Sequence, residues 1–378
     1  VGAAAGADMT DVDVVVIGAG IAGASVGYEL ARDHDVVVLE QESVAGYHTT
    51  GRSAAVFTEA YHRGPVQALA LASRPFFEHP PDMLAGTQLL TPLPVMIIAR
   101  ADQRQAFDRY VEESPDSVEV IEGAALADYC PILGAEIVVG ALEAGAMEID
   151  VHALHQGYLT GIRLRGGEVR LEARTTAIEP AGDRWRIGAG GKTVTAPVVV
   201  NASGAWGDEV AEQAGVAPLG ITPFRRTAFT FAGPDGTDFT TWPMIIDVEE
   251  DFYFKPERNQ FMGSLAEETL MAPHDVGVEE VDVALAIKRI EAATTLSIRH
   301  VRTSWAGLRT FTTDRIPAIG FDPGHPGFFW LVGQGGFGIM TAPAAARVSA
   351  ALVAGHRLPD DVTVAGLEVG AIDPARFR

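Results

Sequence analysis

Residues 13–40, DVVVIGAGIAGASVGYELARDHDVVVLE, constrain this chain more than any other stretch. Residues 14–17 are apolar, rich in β-branched side chains and too few for a helix, which predicts a strand buried on both faces. The strand runs into Gly18, Gly20 and Gly23 in the spacing GxGxxG, then a helix predicted over residues 21–32, a second apolar strand over 36–39, and Glu40. Gly18 permits the tight strand-to-helix turn, Gly20 lets backbone approach a pyrophosphate, and Gly23 lets helix and strand pack closely. The N–H groups that open the helix, at Ile21 and Ala22, point with the helix dipole toward the phosphates. Glu40 ends the second strand roughly twenty residues on, where a carboxylate accepts hydrogen bonds from a ribose diol. A lone GxGxxG is weak, but strand, glycines, helix, strand and acid in this order predict dinucleotide binding. The pattern does not choose between NAD and FAD.

Length and charge narrow the class. The 378 residues suffice for two domains, and no apolar run is long enough to cross a bilayer. Val1 opens a small, flexible segment, and Met9 reads as a translation start preceded by a vector-derived leader, with no signal-peptide pattern. The single cysteine, Cys130, excludes an internal disulfide and cysteine metal clusters, and it is assigned to packing. These features predict a cytoplasmic protein. A net charge of −22 argues against nucleic acid as a partner, gives no reason to expect attraction to anionic lipid, and is assigned to solubility.

Further along, residues 41–55 carry small and hydroxyl side chains (Thr49, Thr50, Ser53, Ala54, Ala55) suited to backbone lying against a flat ligand. Residues 103–126 read as helical, and Asp150 as the N-cap of a helix over 151–164. His152 and His155 lie on that helix without a third ligand and are assigned to its surface. Residues 168–187 predict two strands around a Gly-Asp turn. The strand 198–200 ends in Ala202, Ser203 and Gly204, small residues at the carboxyl end where open α/β sheets bind ligands. Neighbouring strand residues face opposite sides, so only one of Arg225 and Arg226 can face a cavity, and Tyr253 alternates with Phe252 and Phe254. Arg309, among apolar neighbours, needs an anion: a structural carboxylate or a substrate's. A second apolar strand over 328–332 enters the glycine turn 333–340, with a helix expected over about 343–355.

These motifs together, GAGIAGAS, GYHTTGRSAA, DVHALHQGYLTGIR, VVVNASGAWGDEVAEQAGV, LGITPFRRTAFTF, DFYFKPE, EAATTLSIR, TSWAGLRTF and GQGGFGIMTAPA, resemble the FAD-dependent D-amino-acid oxidase superfamily over nearly the whole chain. The closer resemblance is to bacterial D-amino-acid dehydrogenases of the D-arginine dehydrogenase type. It implies an α/β, two-domain fold. A Rossmann-like FAD-binding domain (residues 1–90, 150–214 and 308–378) would carry a discontinuous substrate domain (91–149 and 215–307) on a mostly antiparallel sheet. It also implies non-covalent FAD, touched by Gly18, Gly20, Ile21, Ala22, Gly23, Glu40 and Gln41. Thr49, Thr50, Arg52, Ser53, Ala54 and Ala55 would follow the ribityl chain and isoalloxazine, with Thr175 and Thr176 near the adenine. Ala202, Gly204, Gly335, Gly336, Phe337, Gly338, Ile339 and Met340 would complete the site; the family often has a polar side chain where Met340 stands.

For the substrate, the resemblance places Arg309, Tyr253, Arg226, Tyr61 and Gly336 at the reacting centre. Two positions depart from the D-arginine type: Val95 replaces a glutamate that pairs with a cationic side chain, and Val56 replaces a histidine. Without that carboxylate a buried guanidinium has no partner. The expected reaction is oxidation of a neutral or apolar D-amino acid to its imino acid, by hydride transfer from Cα to flavin N5, then hydrolysis to a 2-oxo acid and ammonia. No Lys, Asp, Glu or His matches a cavity position for a dedicated base, so the amine proton is expected to leave to solvent. Oxygen and a quinone-type carrier both remain open as electron acceptor, as does oligomeric state. Competing readings are a related flavoenzyme for sarcosine, glycine or a 2-hydroxy acid, a non-catalytic FAD-binding subunit, and an NAD-dependent dehydrogenase. No metal is expected.

Overall fold

The computed structural model describes residues 9–60, 63–114 and 117–378. At its centre lies a six-stranded sheet in the order Glu168–Arg170, Val36–Leu39, Val14–Ile17, Val198–Asn201, Phe328–Val332, Ala318–Phe321. The first five strands run parallel and the last is antiparallel. Continuous runs of Val, Ile and Phe form these strands because both sheet faces are covered. Helices Ile21–Leu30, Pro65–Glu78, Val151–Leu164 and Gly338–Val353 pack on one face. On the other lie helix Gly207–Gln213 and a four-stranded sheet containing the hairpin Thr175–Ala181/Arg184–Ala189.

The second layer is a ten-stranded sheet whose main path runs Gln334–Gly335, Val301–Phe311, Thr222–Phe231, Gln260–Ser264, Tyr253–Glu257, Met244–Asp247, Val95–Arg100, Ile137–Glu143, Glu119–Glu122. Thr269–Leu270 pairs beside Thr222–Phe231. All pairings on the path are antiparallel except that of Met244–Asp247 with Val95–Arg100. Residues directly opposite one another share a sheet face. The register Val95↔Met244, Ile246↔Tyr253, Tyr253↔Ser264, Ser264↔Ala228 and Arg226↔Gly307 therefore defines one continuous face. The opposite face carries Met96, Ile98, Ile245, Phe252, Phe254 and Phe229, packed against helix Glu280–Ala293. The α/β two-layer architecture with a mostly antiparallel second sheet is the expected one. One strand, Val301–Phe311, runs across the 307/308 boundary expected between the domains.

Several local expectations need correction. The helix expected over 103–126 is helix Arg104–Glu113, followed by the edge strand Glu119–Glu122, whose Ile121 alone is buried. Residues Glu168–Arg170 leave the expected pair of strands and join the edge of the parallel sheet beside Val36–Leu39. The helix expected to begin near Pro343 begins at Gly338 and passes through the proline. A proline removes one N–H from the intrahelical ladder, and the next N–H, that of Ala344, donates to the buried Ser73 Oγ at 3.0 Å. His155 is not on the surface but buried at 4 % exposure, whereas His152 is exposed. The Asp150 cap is present, its carboxylate accepting from the Ala153 N–H at 2.8 Å. Among the described residues no helix is long and apolar enough to cross a membrane, and no His, Cys, Asp and Glu cluster could hold a metal ion.

Candidate active site

One elongated cavity runs along the carboxyl ends of the parallel strands and onto the continuous face of the second sheet. At its first end, Gly18 has φ +99°, and a Cβ there would lie 2.6 Å from the carbonyl oxygen of Ala202. A Cβ on Gly23 would fall 1.8 Å from Gly18 O, so both positions exclude a side chain. Gly20 caps helix Ile21–Leu30, whose first intrahelical bond in this turn is Ala24 N–H to Gly20 O, leaving the preceding N–H groups of Ile21, Ala22 and Gly23 at the helix mouth. The Ile21 N–H donates to Thr50 Oγ1 at 2.9 Å. Glu40 is aimed by two backbone donors, Ala19 N–H at 2.9 Å and Glu42 N–H at 3.0 Å.

Glu40, Gln41, Thr49, Thr50, Ser53, Ala54, Ala55, Ala202 and Gly204 line this cavity. Thr49 Oγ1 donates to Leu308 O at 2.8 Å, tying the small-residue loop to the second sheet. Arg52 lines the wall, but its guanidinium is engaged by Asp275 at 2.5 Å, Ala306 O at 2.9 Å and Val276 O at 3.2 Å, so it clamps the loop. Thr175 lines the cavity; Thr176 does not, its hydroxyl donating to Gly188 O at 3.2 Å on the outside of the hairpin. Adjacent strand residues face opposite ways, so the expectation could hold for only one threonine side chain.

At the middle of the cavity Gly335 has φ +55°, and a Cβ there would lie 2.3 Å from the Phe311 ring. Gly336 sits against Arg309, where a Cβ would be 3.2 Å from the guanidinium carbon. Phe337, Gly338, Ile339 and Met340 form the start of helix Gly338–Val353 and line the same wall. Gln334 Nε2 is buried there without a hydrogen-bond partner among the described residues.

The far end is built by the second sheet. Arg226 and Arg309 both line it, whereas Arg225 turns to the opposite face and pairs with Asp282 at 2.6 Å and Glu279 at 3.3 Å. Arg226 is 3.6 Å from Glu268. Arg309, half-buried, makes no hydrogen bond or ion pair with the described residues. Tyr253, Val95, Val56, Met244 and Ile246 line the same cavity, and Val95 is 4 % exposed. Tyr61 lies outside the described residues.

Sequence reasoning missed several neighbours. Glu143, the cross-strand partner of Val95, accepts hydrogen bonds from Thr58 Oγ1, the Glu59 N–H at 2.7 Å and the Ala60 N–H at 3.4 Å. Burial pushes its carboxyl above the usual range, against the hydrogen bonds that stabilise the anion. Tyr110 also lines the cavity, and burial raises its phenol. Glu250, in the turn after Met244–Asp247 with φ +56°, places a carboxylate on a wall expected to carry none. The strand alternation in MIID could have pointed to Met244 and Ile246; no local pattern marks Glu143.

The sequence profile of the family described as FAD dependent oxidoreductase (DAO) matches residues 13–352. The chain is 31% identical over 183 residues to FAD-dependent oxidoreductase domain-containing protein 1 of Xenopus laevis, covering 43% of this chain and 36% of that protein. It therefore spans only about a third of that relative's length. It is 25% identical over 367 residues to glycine oxidase of Bacillus licheniformis, covering 91% of this chain and 93% of that one. The crystal structure of glycine oxidase from Geobacillus kaustophilus shares the fold, with a TM-score of 0.83 at 20% identity over 95% of this chain and 99% of that one.

Proposed function

The chain belongs to the FAD dependent oxidoreductase family, and from that premise we propose that it oxidises neutral or apolar D-amino acids to imino acids, which water hydrolyses to 2-oxo acids and ammonia. The residues present fit FAD. Side-chain-free backbone at Gly18 and Gly20, and again at Gly335 and Gly336, leaves room for a flat, extended group along the cavity. Helix N-termini meet it at Ile21 and Gly338, and Gln334 Nε2 is a buried donor awaiting an acceptor. Glu40 would hold the ribose, the Ile21 mouth the pyrophosphate, and the Gly335–Met340 turn the isoalloxazine. When bound, FAD supplies the two-electron acceptor for the substrate's Cα–H bond.

The observation that carries the proposal is Arg309, a cavity-lining guanidinium that feels the Glu268 carboxylate but makes no hydrogen bond or ion pair among the described residues, in a cavity also lined by the apolar Val95, Val56, Met244 and Ile246. A carboxylate gripped by Arg309 would send a side chain of neutral character toward that apolar lining. Arg226, adjacent to Glu268, supports the same end of the cavity electrostatically, and Tyr253 packs over the substrate. The residues bind and orient the substrate, while the amine proton leaves to solvent. Positioning of this kind carries much of the rate when a cofactor does the redox chemistry. The D configuration is supported by the motif resemblance, not by the apolar lining itself.

Glycine or sarcosine oxidation is the second reading, favoured by the relative named glycine oxidase that aligns over 91% of this chain. Anaerobic titration of the flavoprotein, followed by bleaching of the flavin absorbance, separates the two. D-Leu, D-Met or D-Phe should reduce the flavin faster than D-Arg, glycine, sarcosine and the L-enantiomers. Reduction by glycine or sarcosine alone overturns the proposal, and admission of air then tests oxygen as acceptor.

A further inference from the structure

We propose that His155 is a cofactor-positioning residue, whose imidazole fixes the two loops that face each other across the adenosine-diphosphate end of the cavity. Its Nε2 lies 2.8 Å from the carbonyl oxygen of Ala19, the residue between Gly18 and Gly20. A carbonyl only accepts, so Nε2 carries the proton and donates. The imidazole is 4 % exposed, and burial, helped by His152 on the same helix, holds its pKa below the ordinary histidine value despite the Ala19 bond. The neutral ring is therefore the resting donor.

The other edge of the ring lies under the loop that follows Glu40. Gly46 has φ +76°, and a Cβ there would sit 2.9 Å from His155 Cε1 and 3.2 Å from Nδ1. The Gly46 carbonyl in turn accepts from the Gly51 N–H at 2.8 Å, and Thr50 reaches back to the Ile21 N–H at 2.9 Å. Ala19 is thereby held at both polar groups, its N–H by Glu40 and its carbonyl by His155. One imidazole, presented by helix Val151–Leu164, joins the glycine turn to the loop that covers it.

This role concerns FAD affinity and is independent of which substrate is oxidised. His155→Leu fills the space without a donor and should leave the Ala19 carbonyl buried and unpaired. Titrating apoprotein with FAD by flavin fluorescence should give a dissociation constant raised about tenfold or more. His155→Gln, whose amide can reach Ala19, should bind within about threefold of the parent, while the apoprotein melting temperatures of the two variants stay alike. His155→Asn, too short to reach, should bind FAD as weakly as the leucine variant and serves if leucine prevents folding. FAD binding unchanged in His155→Leu, or asparagine binding as tightly as glutamine, overturns the proposal. Equal weakening in all variants, tracking a common fall in apoprotein melting, also overturns it, because packing alone would then explain the loss.

Discussion

The two ends of the cavity are made in different ways. The end on the parallel sheet is shaped by backbone: glycines at 18, 20 and 23, helix N–H groups and a carboxylate aimed by two peptide donors, all within residues 18–42. The end on the antiparallel sheet is shaped by side chains from strands far apart in sequence: Val95, Arg226, Met244, Tyr253 and Arg309 share one face through strand register alone. Backbone sites tolerate few substitutions because the chain itself is the ligand-binding surface. Side-chain sites can be respecified residue by residue. In such a molecule cofactor choice is rigid and substrate choice plastic.

The severest break should come at the backbone end. Gly18→Val adds branched bulk at φ +99° where even a Cβ lies 2.6 Å from Ala202 O. Purified Gly18→Val should lack the flavin absorption bands altogether, and a yellow protein of ordinary stability would refute the backbone account.

Next in size is Arg309→Met. Truncating one partner of a desolvated charge pair costs roughly 2–5 kcal/mol, and Arg309 is only half-buried, so kcat/KM should fall about 100-fold, mostly through KM. FAD content should remain that of the parent. Unchanged kinetics would remove Arg309 from the carboxylate role, and lost flavin would show that the two ends are not separable.

This contrast also explains what was legible in the sequence. The strands Val14–Ile17, Val36–Leu39 and Phe328–Val332 follow from local apolar runs, and the glycine turn from three residues with fixed spacing. The alternation rule separated Arg226 from Arg225 without saying which faced inward; the family resemblance chose. His155 was read as a surface residue because its acceptor, Ala19, lies 136 residues away, where no periodicity can reach. Glu143 escaped for the same reason, its donors at Thr58, Glu59 and Ala60 being 83–85 residues distant. Pro343 suggested a helix start because a proline is commonest in a first turn, and the contact of the Ala344 N–H with Ser73 of another helix leaves no local pattern.

Val95→Glu tests the plasticity of the side-chain end. The new carboxylate would occupy a 4 % exposed position in the cavity lining. Selectivity, measured as the kcat/KM ratio of D-Arg to D-Leu, should shift toward D-Arg by about tenfold, with flavin content unaltered. No shift in the ratio would mean that the side chain of the substrate does not reach Val95.

The smallest effect should separate the two ends by pH. Glu143, the cross-strand partner of Val95, has its carboxyl raised by burial, whereas Asp322, after strand Ala318–Phe321 of the parallel sheet, is held at about 2. Burial alone would raise Asp322 too, but hydrogen bonds from His325 at 2.8 Å, the C-terminal Arg378 at 2.8 Å, Trp330 at 3.2 Å and the Gly324 N–H at 3.0 Å outweigh it. A depressed folded pKa means that the unfolded chain binds the proton more tightly, so the stability Asp322 contributes is present above the unfolded value near 4 and is lost as pH falls toward 2. Glu143 has the opposite sign: its raised folded pKa makes the anion a cost above that pKa, relieved on acidification. Asp322→Asn should therefore lower stability to urea by about 1–2 kcal/mol at pH 7, and by progressively less as the pH falls through 4. Flavin spectrum and KM at pH 7 should match the parent, since Asp322 pins the C-terminus to the parallel sheet and does not line the cavity. A penalty that stays constant down to pH 3 would show that the asparagine disrupts packing and that the charge contributes nothing.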